Sequence, residues 1–155
     1  MPVAYTIDPE HRLAVARLHG VVEDRDVVGL ARALAAAGAD GRGLAQLFDL
    51  RGVTRAAVAP RVIEAAGRLG GCGPGTRRAF LTASTVVYGL VRTYQNCGED
   101  DAECGIFARV EEALSWLGVV GTRAAALLER LPGRAPPEVP DARHPPDSRP
   151  AGCLS

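Results

Sequence analysis

The chain has 155 residues and a formal net charge of zero, with 18 basic residues set against 18 acidic ones. That length suits one domain with an ordinary buried core. The charge balance argues against nucleic-acid binding, which needs a basic stripe, and no apolar run approaches the roughly 20 residues of a membrane helix.

Every basic residue is arginine. Beside so much alanine, glycine, proline and valine, this reads as GC-rich coding bias and a bacterial source. The opening "MPVAYTIDPEHRL" places Asp8 and Glu10 where a signal peptide needs a basic segment and then an apolar one. A cytoplasmic protein is the expectation.

Residues 3–7 alternate weakly and read as a strand, "DPEH" as a turn, and residues 12–19 as a second strand. So short a connection makes the two antiparallel. Residues 24–38 carry Val27, Leu30, Ala31, Leu34 and Ala35 at helical spacing, with Glu23, Asp24 and Asp26 at the favourable N-terminal end. Residues 44–50, "LAQLFDL", read as a buried strand. A second helix opens at Pro60, with Val62, Ala66 and Leu69 as its inner stripe and "GGCGPG" as its end. Residues 78–83 form a third core strand. Ser84 is placed to cap a helix whose inner face is Val87, Leu90, Val91 and Tyr94. "CGIFA", 104–108, is a last strand, followed by a helix on Val110, Ala113, Leu114 and Leu117, with Trp116 alongside. A further helix covers about 121–131. From Pro132 onward, seven prolines in twenty-four residues and few large apolar side chains predict a disordered tail.

Alternating strands and helices imply parallel pairing with right-handed crossovers. The expected fold class is α/β: a mixed five-stranded sheet, antiparallel at its N-terminal hairpin and parallel elsewhere, covered by four to five helices. The expected organisation is a domain over 1–118, an additional helix over 119–131 and the tail over 132–155.

The hairpin "YTIDPEHRLAVARLHG", then "FDLRGV", "RAFLTASTVVYGLVRTYQ" and "CGIFARVEEALSWL", in that order, resemble the small bacterial STAS-like proteins. These share the fold of sporulation anti-sigma-factor antagonists, and that fold is similar to the lipid-carrying CRAL-TRIO domains. The resemblance covers roughly residues 3–118. It implies a regulatory module that binds a protein partner, and in signalling members a serine at the start of the helix after the core strand is phosphorylated. A phosphate there adds nearly two charges beside a docking surface. In this chain the matching stretch, Ala56-Ala57-Val58-Ala59-Pro60, carries no hydroxyl; Thr54 is the nearest candidate for phosphorylation. The resemblance therefore implies partner binding without the usual serine switch.

In open parallel sheets, ligands bind at the carboxyl ends of the strands. That edge here would carry Asp49, Arg51, Thr54 and Arg55 after one strand, and Thr82, Ser84 and Thr85 after the next. Either these residues dock an anion or a partner, or Asp49 and Arg51 satisfy loop backbone and Ser84 only caps its helix. Tyr88 and Arg92 lie one helical turn apart with Gln95 nearby, an aromatic–guanidinium pair suited to an interface. Partner binding is expected through the 50–60 loop and the helix starting near residue 84.

No nucleophile elbow, phosphate-binding glycine loop or paired-carboxylate motif is present. Cys72, Cys97, Cys104 and Cys153 fit no zinc spacing, His11 and His19 have no nearby cysteine or second histidine, and His144 lies in the predicted disordered tail. No catalytic residue, metal or cofactor is expected. The alternative function is a small-molecule or lipid carrier, which needs an apolar pocket left open by alanines and glycines on the helix faces.

Overall fold

The computed structural model describes residues 2–39, 42–69, 76–97 and 103–133. The elements run β1 (Val3–Asp8), β2 (Leu13–Glu23), α1 (Asp24–Ala37), β3 (Ala45–Ala57), α2 (Pro60–Leu69), β4 (Arg77–Leu81), α3 (Thr85–Cys97), β5 (Glu103–Phe107), α4 (Val110–Leu117) and α5 (Gly121–Arg130). The five strands form one sheet in chain order, with β1 antiparallel to β2 and every later neighbour parallel. This is the expected mixed sheet with one antiparallel edge.

The β1–β2 turn is held by Asp8, whose Oδ1 accepts from the His11 amide at 3.1 Å. Strand residues alternate between two cores, because successive side chains point to opposite faces. Ala14, Ala16, Leu18, Phe48, Phe80 and Ile106 meet α1 and α3 on one face. Leu13, Val15, Leu47, Leu81 and Phe107 meet α4 and α5 on the other. Consecutive right-handed crossovers place α1, α2 and α3 side by side, with α2 in the middle.

Two expectations are corrected. The loop expected from residue 50 is strand as far as Ala57, because β2 continues to Glu23 and supplies a parallel partner along the way. Val21, Val22, Val53 and Thr54 suit a pleated strand. The added length is uneven: β3 holds one extra residue between the Arg17–Asp49 and His19–Gly52 pairs, and another between Gly20–Val53 and Val21–Arg55. Such bulges bend a strand and increase its twist. The inner stripe of α2 is also shifted. Ile63, Ala66 and Gly67 are buried, whereas Leu69 is 47% exposed and Val62 only half-buried. The tail from residue 134, the segment 70–75 and the side chain of Cys97 lie outside the described residues, and with them Cys72, His144 and Cys153.

Candidate functional site

β4 pairs with β3 only from Gln46 to Asp49. Beyond that point the sheet narrows to a two-stranded ribbon of β2 and β3, while α2 and α3 continue over the space left by β4. A cavity of about 110 Å³ lies there, between the sheet and α1, α2 and α3. Its floor includes Leu18, Val22, Phe48 and Phe80, and its roof Leu30, Leu34, Ile63, Val87 and Val91. Small side chains at Ala31 and Ala66 leave the gap. Leu50, Val53, Ala56 and Val58, all half-buried, carry the lining out along the ribbon to solvent. Among the lining side chains the hydroxyl of Tyr94 is the one polar group.

The helix starts that frame this opening are tied together. Asp24 Oδ1 accepts from the Ala59 amide at 2.8 Å, joining the start of α1 to the residue before α2. The Glu23 amide in turn donates to Asp26 at 2.8 Å. Beneath the cavity, Phe48 stacks on Phe80 at 5.0 Å, and Tyr94 meets Phe80 edge-on at 5.7 Å. The buried Arg78 guanidinium lies 5.1 Å from the Tyr94 ring centre and donates to Gln46 Oε1 at 2.9 Å.

The residues singled out in the sequence do not form one surface. Asp49 is fully buried on the opposite face of the sheet from the cavity. Its Oδ2 accepts from Arg17 Nε at 3.1 Å, and its Oδ1 from Arg51 Nε at 2.9 Å and from the Arg51 amide at 3.2 Å. Arg17 continues to the Leu131 carbonyl at 3.0 Å. This clamp joins β2, β3 and the residue after α5, and within it the Asp49 bond to the Arg51 amide is the contact to backbone. Burial pushes the Asp49 carboxyl upward, but the Arg51 and Arg17 guanidinia more than offset it and the net shift is downward.

Ser84 Oγ accepts from the Val87 amide at 3.5 Å, at the start of α3. Thr54 and Arg55 are exposed on the ribbon. Tyr88 is 38% exposed next to Val86 at 68%, whereas Arg92 is half-buried and engaged. Thr82 is buried, and its amide donates to the Phe107 carbonyl at 3.0 Å.

A second polar cluster sits at the β1–β2 turn. Asp8 Oδ2 accepts from Arg123 Nε at 2.7 Å and contacts His11 Nδ1 at 2.9 Å. The Arg123 hydrogen bond, then the His11 amide, hold the Asp8 carboxyl down to about 2. Asp8, Glu10 and His11 bring ligand atoms within 4.8 Å of one another, but Asp8 Oδ2 already accepts from Arg123 Nε and contacts His11 Nδ1.

Sequence reasoning raised an apolar pocket only as the requirement of the carrier alternative and did not place it. The signal for its place was the run Val53, Ala56 and Val58 after "DLRG", apolar residues in a stretch read as loop.

No protein-family model matches this chain, and no curated protein matches it in sequence. Among solved structures it is similar to the crystal structure of an uncharacterized protein of the DUF3478 family with a SpoIIAA-like fold, from Shewanella loihica PV-4. That similarity has a TM-score of 0.49 at 14% identity and covers 74% of this chain and 93% of the other.

Proposed function

We propose that this protein is a non-enzymatic binding module that takes a small molecule into the apolar cavity beneath α1, α2 and α3. The observation that carries the reading is the cavity. Protein interiors are close-packed, and unfilled apolar space costs about 24 cal/mol per Å³. An apolar occupant of this cavity, about 110 Å³ and open to solvent along the ribbon, would bury its own apolar surface together with that of the lining. The lining offers no carboxylate, imidazole or thiol for catalysis, which is why binding rather than turnover is proposed. Native mass spectrometry of the protein isolated gently from its own host tests the reading. A near-stoichiometric small-molecule adduct, lost in Ala66→Phe, is expected. A bare chain in repeated preparations overturns it.

A second reading, a cytoplasmic regulatory module that docks a protein partner, is favoured by the exposed Val86 and Tyr88 on α3. Thr54, exposed on β3, is then the hydroxyl available for phosphorylation in place of the family serine. Replacing Val86 and Tyr88 with alanine should weaken capture of a partner about tenfold without moving the unfolding midpoint. Undiminished capture counts against this surface.

A further inference from the structure

We infer that the cavity selects a compact, uncharged hydrophobe of benzene to indole size and rejects fatty acids and other carboxylates. This rests on the ligand-binding reading above and names its ligand class.

Volume is the first argument. An apolar cavity of about 150 Å³ in a protein core holds benzene. The present one is about 110 Å³ and continues outward along the ribbon. A single aromatic ring, or a small bicyclic one reaching toward solvent, fills it.

Charge is the second. A carboxylate placed among these lining residues would be buried without an ion partner, which is strongly unfavourable. Beside the opening, a carboxylate is already in place: Asp24 accepts from the amide of Ala59, the residue after Val58. The arginines of the ribbon are turned away. Val22 and its register partner Ala56 line the cavity, so the neighbouring pair, Val21 and Arg55, points to the opposite face. Arg51 is held there too, on Asp49. Arg78 is not part of the lining, and its guanidinium is engaged by Gln46 and the Tyr94 ring.

The test is an NMR titration of the full chain with toluene and, separately, with octanoate, read at the methyl groups of Ile63, Val87 and Val91. Toluene should shift these signals, with octanoate at least about tenfold weaker. The toluene response should disappear in Ala66→Phe and shrink in the milder Ala31→Leu, which keeps the test informative should the phenylalanine misfold. Octanoate binding as well as or better than toluene overturns the inference and leaves the ligand-binding reading standing. Silence with both probes overturns both. A toluene response that survives both filled variants places the site elsewhere and overturns the inference.

Discussion

Beneath the sheet, α5 begins so close to α4 that a Cβ at Gly121 would overlap the Leu114 carbonyl oxygen; above it, a cavity of about 110 Å³ is left among α1, α2 and α3. The lower face is closed by charge as well as by packing. Arg17 reaches from β2 to Asp49 and to Leu131, and Arg123 of α5 grips Asp8. The upper face is joined by apolar contact, by the Asp24–Ala59 tie between helix starts and by the buried Arg78, which links Gln46 to the Tyr94 ring. One sheet thus carries a rigid side and a loosely filled side. A binding module needs both: a frame that holds its shape and a region whose packing is left for a ligand to complete.

The sharpest way to break this comparison is at Asp49. Asp49→Ala leaves Arg17 and Arg51 facing each other in a buried site, and removing one partner of a buried ion pair costs about 3–5 kcal/mol. Urea unfolding should show a loss in that range with an unchanged denaturant slope. A loss under about 1 kcal/mol would mean that the lower face does not depend on its clamp.

Acid should loosen the same face. The folded carboxyl of Asp8 titrates at about 2 against an ordinary value of 3.8, and that of Asp49 is also lowered. A lowered folded pKa contributes stability that is present above the unfolded value and lost as pH falls through the folded one. The unfolding midpoint should therefore hold steady down to pH 4 and drop between 3.8 and about 2. Asp8→Asn should flatten that drop; an unaltered profile would remove Asp8 from the account.

Paired substitutions compare the faces directly. Ala124→Leu enlarges a fully buried residue in the α5 core and should destabilise by about 1–3 kcal/mol through overpacking. Ala31→Leu on α1 points into the cavity and should lie between neutral and about 1 kcal/mol stabilising. Equal losses at both positions, measured by thermal unfolding, would erase the distinction.

How much of this was readable from the chain follows the same division. The continuous apolar runs "LAVARL" and "RAFL" and the acids before α1 are local signals, and they placed the sheet and most helices. The extension of β3 was not local. "RGVTRAA" carries a glycine and polar residues that look like a loop until Val21 and Val22, more than thirty residues earlier, are known to lie alongside. Asp49 was noticed as an acid ending an apolar strand, but its main partner besides Arg51 is Arg17, reached only through the parallel pairing of β2 and β3. Leu69 looked like the inward end of the α2 stripe, yet Gly67 is buried in its stead, because α2 runs between two neighbouring helices that already cover the sheet. The cavity was the least legible feature. It is a difference between the volume that the helices span and the volume that Ala31 and Ala66 supply, and no single residue encodes it.

The smallest expected effect is the most specific to the upper face. Gly89 is exposed in the middle of α3, its φ is ordinary, and no atom lies within 4 Å of where a Cβ would stand. Glycine in a helix interior costs roughly 0.5–1 kcal/mol relative to alanine, because the unfolded chain has more conformations to give up. Gly89→Ala should therefore raise stability by about that amount. Gly121→Ala, at the crowded start of α5, should lower it. Opposite signs for the same substitution on the two faces would tie the difference to packing space rather than to helix propensity, which alone predicts a gain at both. Matching gains would show that α5 can slide away from Leu114, and the lower face would then be no more rigid than the upper.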